Sequence, residues 1–357
     1  MLLKDFLNEG VARLEPLYPT KEARNIMLML CESRIGTKSY THIVEPGYQI
    51  KDKSLDGLNS DLDRLALGEP VQYVIGFADF CGLRFKVTPD VLIPRPETEL
   101  LCREAIKVGS RIQRMRKAYG KSARPVRILD LCTGSGCIAW TVALSIPGAE
   151  VVGVDISEKA VAVASGQDFA SALKESDAVA PRFVVADVLA EHQPFAEGEF
   201  DLVLSNPPYI MESEKERMRA NVLNYEPSTA LFVTDGDPLV FYRAIASISR
   251  ECLSAEGKGL TEINELLGPE TAKIFADAGF SKTEVVNDFY DKNRFAVFAP
   301  VTLPADRSLK EQLEILRKEG YARLWVNDMV YRISEVLASE ELLSYPVELM
   351  IDRLTVA

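Results

Sequence analysis

A short apolar run that ends in Asn-Pro-Pro-Tyr is the segment of this sequence best suited to chemistry. Residues 202–204 have the pattern of a strand buried on both faces, and the strand leads directly to Asn206. Pro207 and Pro208 end it, because neither has an N–H for a ladder, and both stiffen the backbone. The Asn206 side chain and the Pro207 carbonyl can then accept from a planar NH2 group, with Tyr209 packed against it. An unremarkable strand that ends in a Pro-Pro turn is the alternative for this motif taken alone.

A glycine turn and two carboxylates follow the strands that precede this one in the sequence. The turn Thr133-Gly134-Ser135-Gly136 lacks the third glycine of the dinucleotide fingerprint, but its glycines allow a ligand to approach the backbone. Asp130 is placed to meet the ammonium group of an amino-acid moiety. Asp155 ends the next strand, where a carboxylate can accept from two ribose hydroxyls, and Asp187 ends the third, within reach of an adenine.

Four such strand ends together fit S-adenosylmethionine better than a dinucleotide. The residues predicted to bind this cofactor are Asp130, Cys132, Thr133, Gly134, Ser135, Gly136, Asp155, Asp187, Val188 and Asn206.

The segment before the predicted sheet has a stiff backbone with charged side chains. Prolines lie on both sides of Arg95 and precede Glu97, which predicts a site loop; a proline-bounded helix start is the alternative. Residues 68–87 alternate glycine turns with β-rich runs and predict a hairpin linker.

Composition narrows the class of protein. The chain has 357 residues, a net charge of −12 and a pI of about 4.9, so long tracts of nucleic-acid backbone are unfavourable partners and no stable DNA binding is expected. Six cysteines without a CxxC pair and only two histidines predict neither a zinc site nor a disulfide framework, and no metal is expected. The sequence lacks a signal-peptide core and any run approaching ~18 apolar residues, so we expect a cytoplasmic protein without a membrane segment.

One local charge run departs from this acidity. Residues 105–129 hold eight basic residues and no acidic one. A solvated helix end and loop is the common explanation for such a run, and docking of an RNA-rich or acidic partner is the alternative.

The order of predicted elements gives the fold class. Residues 1–75 have helical periodicity, and strands then alternate with helices, including one helix over residues 158–174. This alternation predicts an α/β fold with a mostly parallel sheet, whose last two strands are too close in sequence for a crossover and therefore pair antiparallel. The predicted domains are a helical bundle (1–75), a hairpin linker and site loop (76–100), a sheet domain (101–300) and a small α+β extension (301–357).

Several of these motifs together resemble one family. Residues 93–99, the turn at 130–136, Asn-Pro-Pro-Tyr and the stretch 225–232 are similar to the release-factor glutamine N5-methyltransferases over about residues 1–300. The resemblance implies a seven-stranded class I methyltransferase fold and methyl transfer from S-adenosylmethionine to the glutamine of the Gly-Gly-Gln motif of peptide-chain release factors. Cys132 stands where that family often has glycine.

The resemblance to this family implies that Asn206, Pro207 and Tyr209 are the catalytic residues. The substrate-binding residues are Asn206, Pro207, Pro208, Tyr209, Arg95, Glu97 and Glu226. An adenine-N6 nucleic-acid methyltransferase, which shares Asn-Pro-Pro-Tyr, and a non-catalytic adaptor are the alternatives. Residues 308–354 separately resemble a short piece of the A subunit of the bacterial excinuclease; this piece carries no ATP motif.

Overall fold

The protein is described from a computed structural model. It covers residues 1–118, 124–191, 193, 195, 198–280, 282–287, 292–299, 308–318, 323–326, 329–339 and 347–350. Within these ranges no helix is both long enough and apolar enough to cross a membrane.

The N-terminal part is helical, as predicted. Its helices are α1 (Leu3–Leu14), α2 (Thr20–Ile35), α3 (Thr41–Val44), α4 (Asp52–Ala66) and α5 (Val71–Ile75). All of them except α3 contribute to one apolar core, in which Phe6, Met27 and Leu62 are almost completely buried.

The hairpin linker is shorter than predicted. The β-rich run at Val71–Ile75 is a helix, which begins after Pro70 and ends at Gly76 in the left-handed conformation, φ +90°. Strand pairing is confined to β1 (Phe77–Phe80) and β2 (Leu83–Lys86), which form an antiparallel hairpin. The β propensity of this run predicts the wrong structure, because Pro70 before the run and Gly76 after it fit the start and end of a short helix.

The central sheet has the predicted seven strands. They are β3 (Arg127–Leu131), β4 (Glu150–Asp155), β5 (Arg182–Val185), β6 (Phe200–Ser205), β9 (Leu253–Glu262), β10 (Lys282–Asn287) and β11 (Asn293–Ala299). Their order is β10-β11-β9-β6-β3-β4-β5; β11 is antiparallel to both neighbours, and the remaining adjacent pairs are parallel. The prediction of a mostly parallel sheet with an antiparallel last strand is confirmed.

Helices cover both faces of this sheet. They are α6 (Thr98–Ala118), α7 (Cys137–Ser145), α8 (Glu158–Ser165), α9 (Ala170–Glu175), α11 (Val240–Cys252) and α12 (Gly268–Asp277), while α10 (Ala220–Tyr225) lies in the segment between β6 and β9. An insertion after β6 adds a two-stranded parallel pair, β7 (Ile210–Met211) and β8 (Phe232–Val233). Every residue of β6 is buried, as expected of a strand at the centre of a covered sheet.

The single helix predicted over 158–174 is wrong; the chain forms α8 and α9 with a break between them. Ser157 caps α8 by accepting from the Ala160 N–H at 3.2 Å, and α8 ends at Gly166. In the break, the Gln167 side chain exchanges two hydrogen bonds with the Lys86 backbone, at 2.8 and 2.9 Å, and so joins this segment to the hairpin.

The basic run is partly explained by one buried carboxylate. Asp201, which is 1% exposed, accepts from two nitrogens of Arg116 at 2.9 and 2.5 Å and from Arg124 at 2.6 Å. The Arg127 backbone N–H donates to the same group at 3.0 Å. These arginines therefore tie the end of α6 and the start of β3 to β6.

The C-terminal part is a small α+β unit, in agreement with the predicted extension. It contains α13 (Leu309–Lys318), β12 (Arg323–Val326), β13 (Met329–Arg332), α14 (Ile333–Leu337) and β14 (Val347–Met350), with antiparallel strand order β13-β12-β14. The sequence also predicts a hairpin turn at Asn327-Asp328 and a strand over residues 347–354; the turn and residues 351–354 lie outside the described residues.

Candidate active site

The carboxyl end of β6 is joined to that of β9 by a chain of side-chain hydrogen bonds. Asn206 Nδ2 donates to Thr98 Oγ1 at 3.1 Å, and Thr98 Oγ1 donates to Glu262 Oε2 at 2.7 Å. The Tyr209 hydroxyl donates to the other carboxylate oxygen, Oε1, at 2.9 Å. Glu262 is 2% exposed and Thr98 is 1% exposed, whereas Asn206 is half-buried. A buried carboxylate thus anchors both polar ends of Asn-Pro-Pro-Tyr.

Strand register explains why these groups meet. Ser205 of β6 pairs with Thr261 of β9, so the residues that follow each of them leave the sheet side by side. Parallel strands bring their carboxyl ends to one edge of a sheet, which is where α/β proteins bind ligands. Thr98, the first residue of α6, reaches this edge from outside the sheet.

The position of Tyr209 is also fixed by a hydrogen bond to its backbone carbonyl. Asn264 Nδ2 donates to the Tyr209 carbonyl at 3.0 Å and to Glu214 Oε1 at 2.9 Å, which also connects the insertion to the sheet. Burial, and the nearby charge of Glu262, raise the pKa of Tyr209 well above its usual value. The phenol therefore stays protonated and remains a hydrogen-bond donor.

The loop predicted from its prolines is pinned by a buried ion pair. Arg95 donates to Glu226 Oε1 at 2.6 Å, and the Ile93 backbone N–H donates to Oε2 at 3.2 Å. Only 1% of the Glu226 side chain is exposed, against 33% for Arg95. Glu97 is half-buried, and its charge acts on Glu262 rather than on this ion pair. The structure thus brings together two of the three charged residues predicted to bind substrate, Arg95 and Glu226, and their ion pair closes the loop against the insertion.

The glycine turn has the backbone that its sequence requires. Gly134 and Gly136 have φ of +55° and +78°, and Thr133 anchors the turn by donating its N–H to the Val154 carbonyl at 2.9 Å. Asp155 Oδ2 accepts from the Gly134 N–H at 2.9 Å. This bond joins the end of β4 directly to the turn after β3.

Cys132 adopts φ +60° in the same turn. The left-handed region is costly for a residue with a side chain, which accounts physically for glycine at this position in the family that the sequence resembles. The chain keeps the turn conformation at this cost.

Asp130 lies beneath the turn, and its side chain is fully buried. It accepts from Thr133 Oγ1 at 2.5 Å, and burial raises its pKa to about 7 although that hydrogen bond opposes the rise. In this conformation Asp130 supports the turn from behind, and Thr133 and Ser135 are also buried.

The surface beside the turn offers groups of the kind that S-adenosylmethionine needs. Asp155 is half-buried with its second oxygen, Oδ1, bonded to the Ser157 N–H at 2.9 Å, and Asp187 is exposed beyond β5. Exposed apolar side chains stand next to both carboxylates: Ile156 is 62% exposed and Leu189 is 43% exposed, while Val188 packs into the core. Carboxylates for hydroxyls, apolar faces for a base and open space beside Gly134 together fit an adenosyl group.

Sequence reasoning missed two members of the site, Glu262 and Asn264. The sequence predicts a strand over residues 259–263, but nothing in its local pattern connects the carboxylate of Glu262 with Asn206. The available signal was position alone: Glu262 ends the strand that lies next to β6 in the sheet. The sequence pattern indicates for Thr98 only a place at the start of a helix.

Comparison with known proteins first defines the class. The family model of the methyltransferase small domain matches residues 100–237, and that of the UvrA interaction domain matches residues 282–357, in agreement with the resemblance of the tail. Among solved structures, an S-adenosylmethionine-dependent methyltransferase from Agrobacterium tumefaciens is similar with a TM-score of 0.40 and 16% identity, over 63% of this chain and 69% of that one. The first of these matches shows that the chain contains a methyltransferase small domain.

Full-length relatives then give the family. The release factor glutamine methyltransferase of Flavobacterium psychrophilum is 35% identical over 294 residues, which span 82% of this chain and 98% of the relative. That of Bacteroides thetaiotaomicron is 36% identical over 285 residues, 79% of this chain and 94% of the relative. The chain belongs to the release factor glutamine methyltransferase family.

Proposed function

We propose that this protein methylates the side-chain amide nitrogen, N5, of the glutamine in the Gly-Gly-Gln motif of peptide-chain release factors. The observation that carries the proposal is the fixed amide of Asn206 at the end of β6, half-exposed and followed by two buried prolines. When bound, S-adenosylmethionine supplies an electrophilic methyl group.

The task of the protein is to present an unreactive nitrogen. An amide nitrogen is a poor nucleophile because its lone pair is delocalised into the carbonyl. Asn206 Oδ1 and the Pro207 carbonyl can accept the two N–H hydrogens of the substrate amide, which orients the nitrogen and stabilises positive charge as it develops there. Tyr209, held at its hydroxyl and its carbonyl, is placed to pack against the planar amide. The proton becomes acidic only after transfer, so no general base is needed beforehand.

The remaining site residues are proposed to hold the methyl donor. Asp155 would accept from the ribose hydroxyls, Asp187 would lie near the adenine, and Cys132 and Gly134 would face the donor. Thr133, Ser135, Gly136 and Asp130 support this turn from the interior side.

Arg95, Glu97 and Glu226 are proposed to border the entry of the protein substrate. Arg95 keeps part of its surface while it clasps Glu226, so the loop presents a rigid edge to an incoming peptide. The substrate is a component of translation, and we therefore propose that the enzyme works in the cytoplasm. We also propose that the domain boundaries lie near residues 75, 100 and 300.

The test locates the transferred methyl group. The enzyme is incubated with isotope-labelled S-adenosylmethionine and either a purified release factor or adenine-containing DNA, and the label is mapped by mass spectrometry. Label on the glutamine, absent from a release factor in which that glutamine is replaced by alanine, is the expected result. Label on adenine would establish the alternative function, and the net charge of −12 argues against it.

A further inference from the structure

We infer that Thr98 and Glu262 are positioning residues that set which way the Asn206 amide faces. The inference rests on the proposed function, because it concerns how the acceptor on Asn206 is presented to the substrate amide. It is based on the hydrogen bonds that link the side chains of Glu262 in β9, Thr98 in α6 and Asn206 after β6.

The direction of the hydrogen bonds follows from counting protons. Glu262 Oε2 accepts from the Thr98 hydroxyl, and Thr98 has only one hydroxyl proton to give. That proton lies on the 2.7 Å contact with Glu262, so the Thr98 oxygen faces Asn206 as an acceptor. Asn206 must therefore turn its NH2 group toward Thr98. Its oxygen, Oδ1, is left pointing the other way, where a substrate N–H can be accepted.

The opposite orientation of the Asn206 amide would be unfavourable at both ends. Rotation by half a turn would set Oδ1 against the acceptor side of Thr98 Oγ1, with no proton between the two oxygens. It would also direct NH2 donors at the N–H donors of the substrate. An asparagine without a fixed partner would sample both orientations, and only one of them is productive.

Glu262 is suited to this role by its surroundings. Burial is the largest effect and raises the pKa of Glu262, while the hydrogen bonds from Thr98 and Tyr209 and the charge of Arg294 offset part of that rise. Each carboxylate oxygen of Glu262 accepts a hydrogen bond from one hydroxyl. Glu262 therefore orients Tyr209 directly, and it orients Asn206 indirectly, through Thr98. Two of the residues proposed to meet the substrate amide are thus aligned by one carboxylate.

The key variant is Thr98→Val, which keeps the shape of the side chain and removes the hydroxyl. Turnover of the release factor should fall by roughly 10-fold to 100-fold, less than the 10²–10³ expected when the acceptor itself is removed. Donor affinity and KM for the release factor should change less than 3-fold, since the amide still occupies its place. Thr98→Ser should restore most of the turnover, because it restores the hydroxyl.

Thr271→Val is the matched control. Thr271 is also completely buried, and its hydroxyl has no hydrogen-bond partner within the described structure. The same chemical change in α12 should therefore leave turnover unaltered. Glu262→Gln should lower turnover as well, and adding Thr98→Val to Glu262→Gln should lower it little further, because Glu262 orients Asn206 only through the Thr98 hydroxyl.

A second readout does not depend on activity. In amide-selective ¹⁵N spectra, the side-chain NH2 of Asn206, assigned by its loss in Asn206→Ala, should exchange slowly with water in the parent and rapidly in Thr98→Val. Parent turnover in Thr98→Val, or equal losses in Thr98→Val and Thr98→Ser, would overturn the inference. A parent enzyme that does not methylate glutamine would instead refute the proposed function.

Discussion

The two glycines of the donor turn should respond very differently to alanine. Gly136 has φ +78°, and a Cβ there would lie 3.0 Å from the Ala164 Cβ, 3.1 Å from Phe183 Cζ and 3.2 Å from Trp140 Cδ1. Left-handed strain costs a residue with a side chain about 1–2 kcal/mol, and overpacking adds about 1–3 kcal/mol. Gly136→Ala should therefore lower the free energy of unfolding by roughly 2–5 kcal/mol.

Gly134→Ala should cost only the strain. Its φ is +55°, and a Cβ there meets no protein atom within 4 Å, so about 1–2 kcal/mol is expected. Gly148, with φ +71° and equally open surroundings, is the matched control outside the turn. Urea denaturation gives the stabilities, and calorimetry gives the affinity for S-adenosylmethionine. Gly134→Ala should lose donor affinity while Gly148→Ala keeps it.

Equal destabilisation by Gly134→Ala and Gly136→Ala would refute the steric reasoning. Unchanged donor affinity in a folded Gly134→Ala variant would refute the placement of the donor against the turn.

Other consequences follow from individual buried or charged groups. Asp155→Ala should weaken donor binding by roughly 1.5–3 kcal/mol, measured by calorimetry, because the donor loses a charged acceptor; unchanged affinity would remove Asp155 from the site. Asp201→Ala should cost about 3–5 kcal/mol in urea denaturation, since two arginines lose their buried partner, and a loss below 1 kcal/mol would contradict this. Burial raises the pKa of Asp130 from about 4 to about 7, so the stability that its proton contributes in acid falls between about pH 4 and about pH 7; Asp130→Asn should gain stability relative to the parent over that window, and no such gain would count against the shift. Truncation after Pro300 should leave methyl transfer largely intact, and a folded but inactive product would show that the boundary is wrong.

The sequence allowed the sheet and its central strand to be predicted for a simple physical reason. A strand covered on both faces must be apolar throughout, and residues 202–204 are completely buried. Prolines directly after such a strand give the polar residue before them a fixed place. Local pattern was therefore enough to locate Asn206.

The partners of Asn206 could not be found in this way. Thr98 and Glu262 are separated by 164 residues, and each looks ordinary in its own segment. The break between α8 and α9 has the same origin, because Gln167 bonds to a backbone 81 residues away. Contacts of this kind depend on how strands and helices are arranged, and propensity or periodicity does not contain that information.

The most direct test of the central claim is the effect of Asn206→Ala on two separate quantities. Single-turnover methyl transfer to the release-factor glutamine should slow by ~10²–10³, because the acceptor stabilises charge that develops only as the methyl group arrives. The dissociation constant of S-adenosylmethionine and the free energy of unfolding should change little in the same variant. A variant that transfers methyl to the glutamine at the parent rate would contradict the account, and Asn206 would then serve only to end a strand.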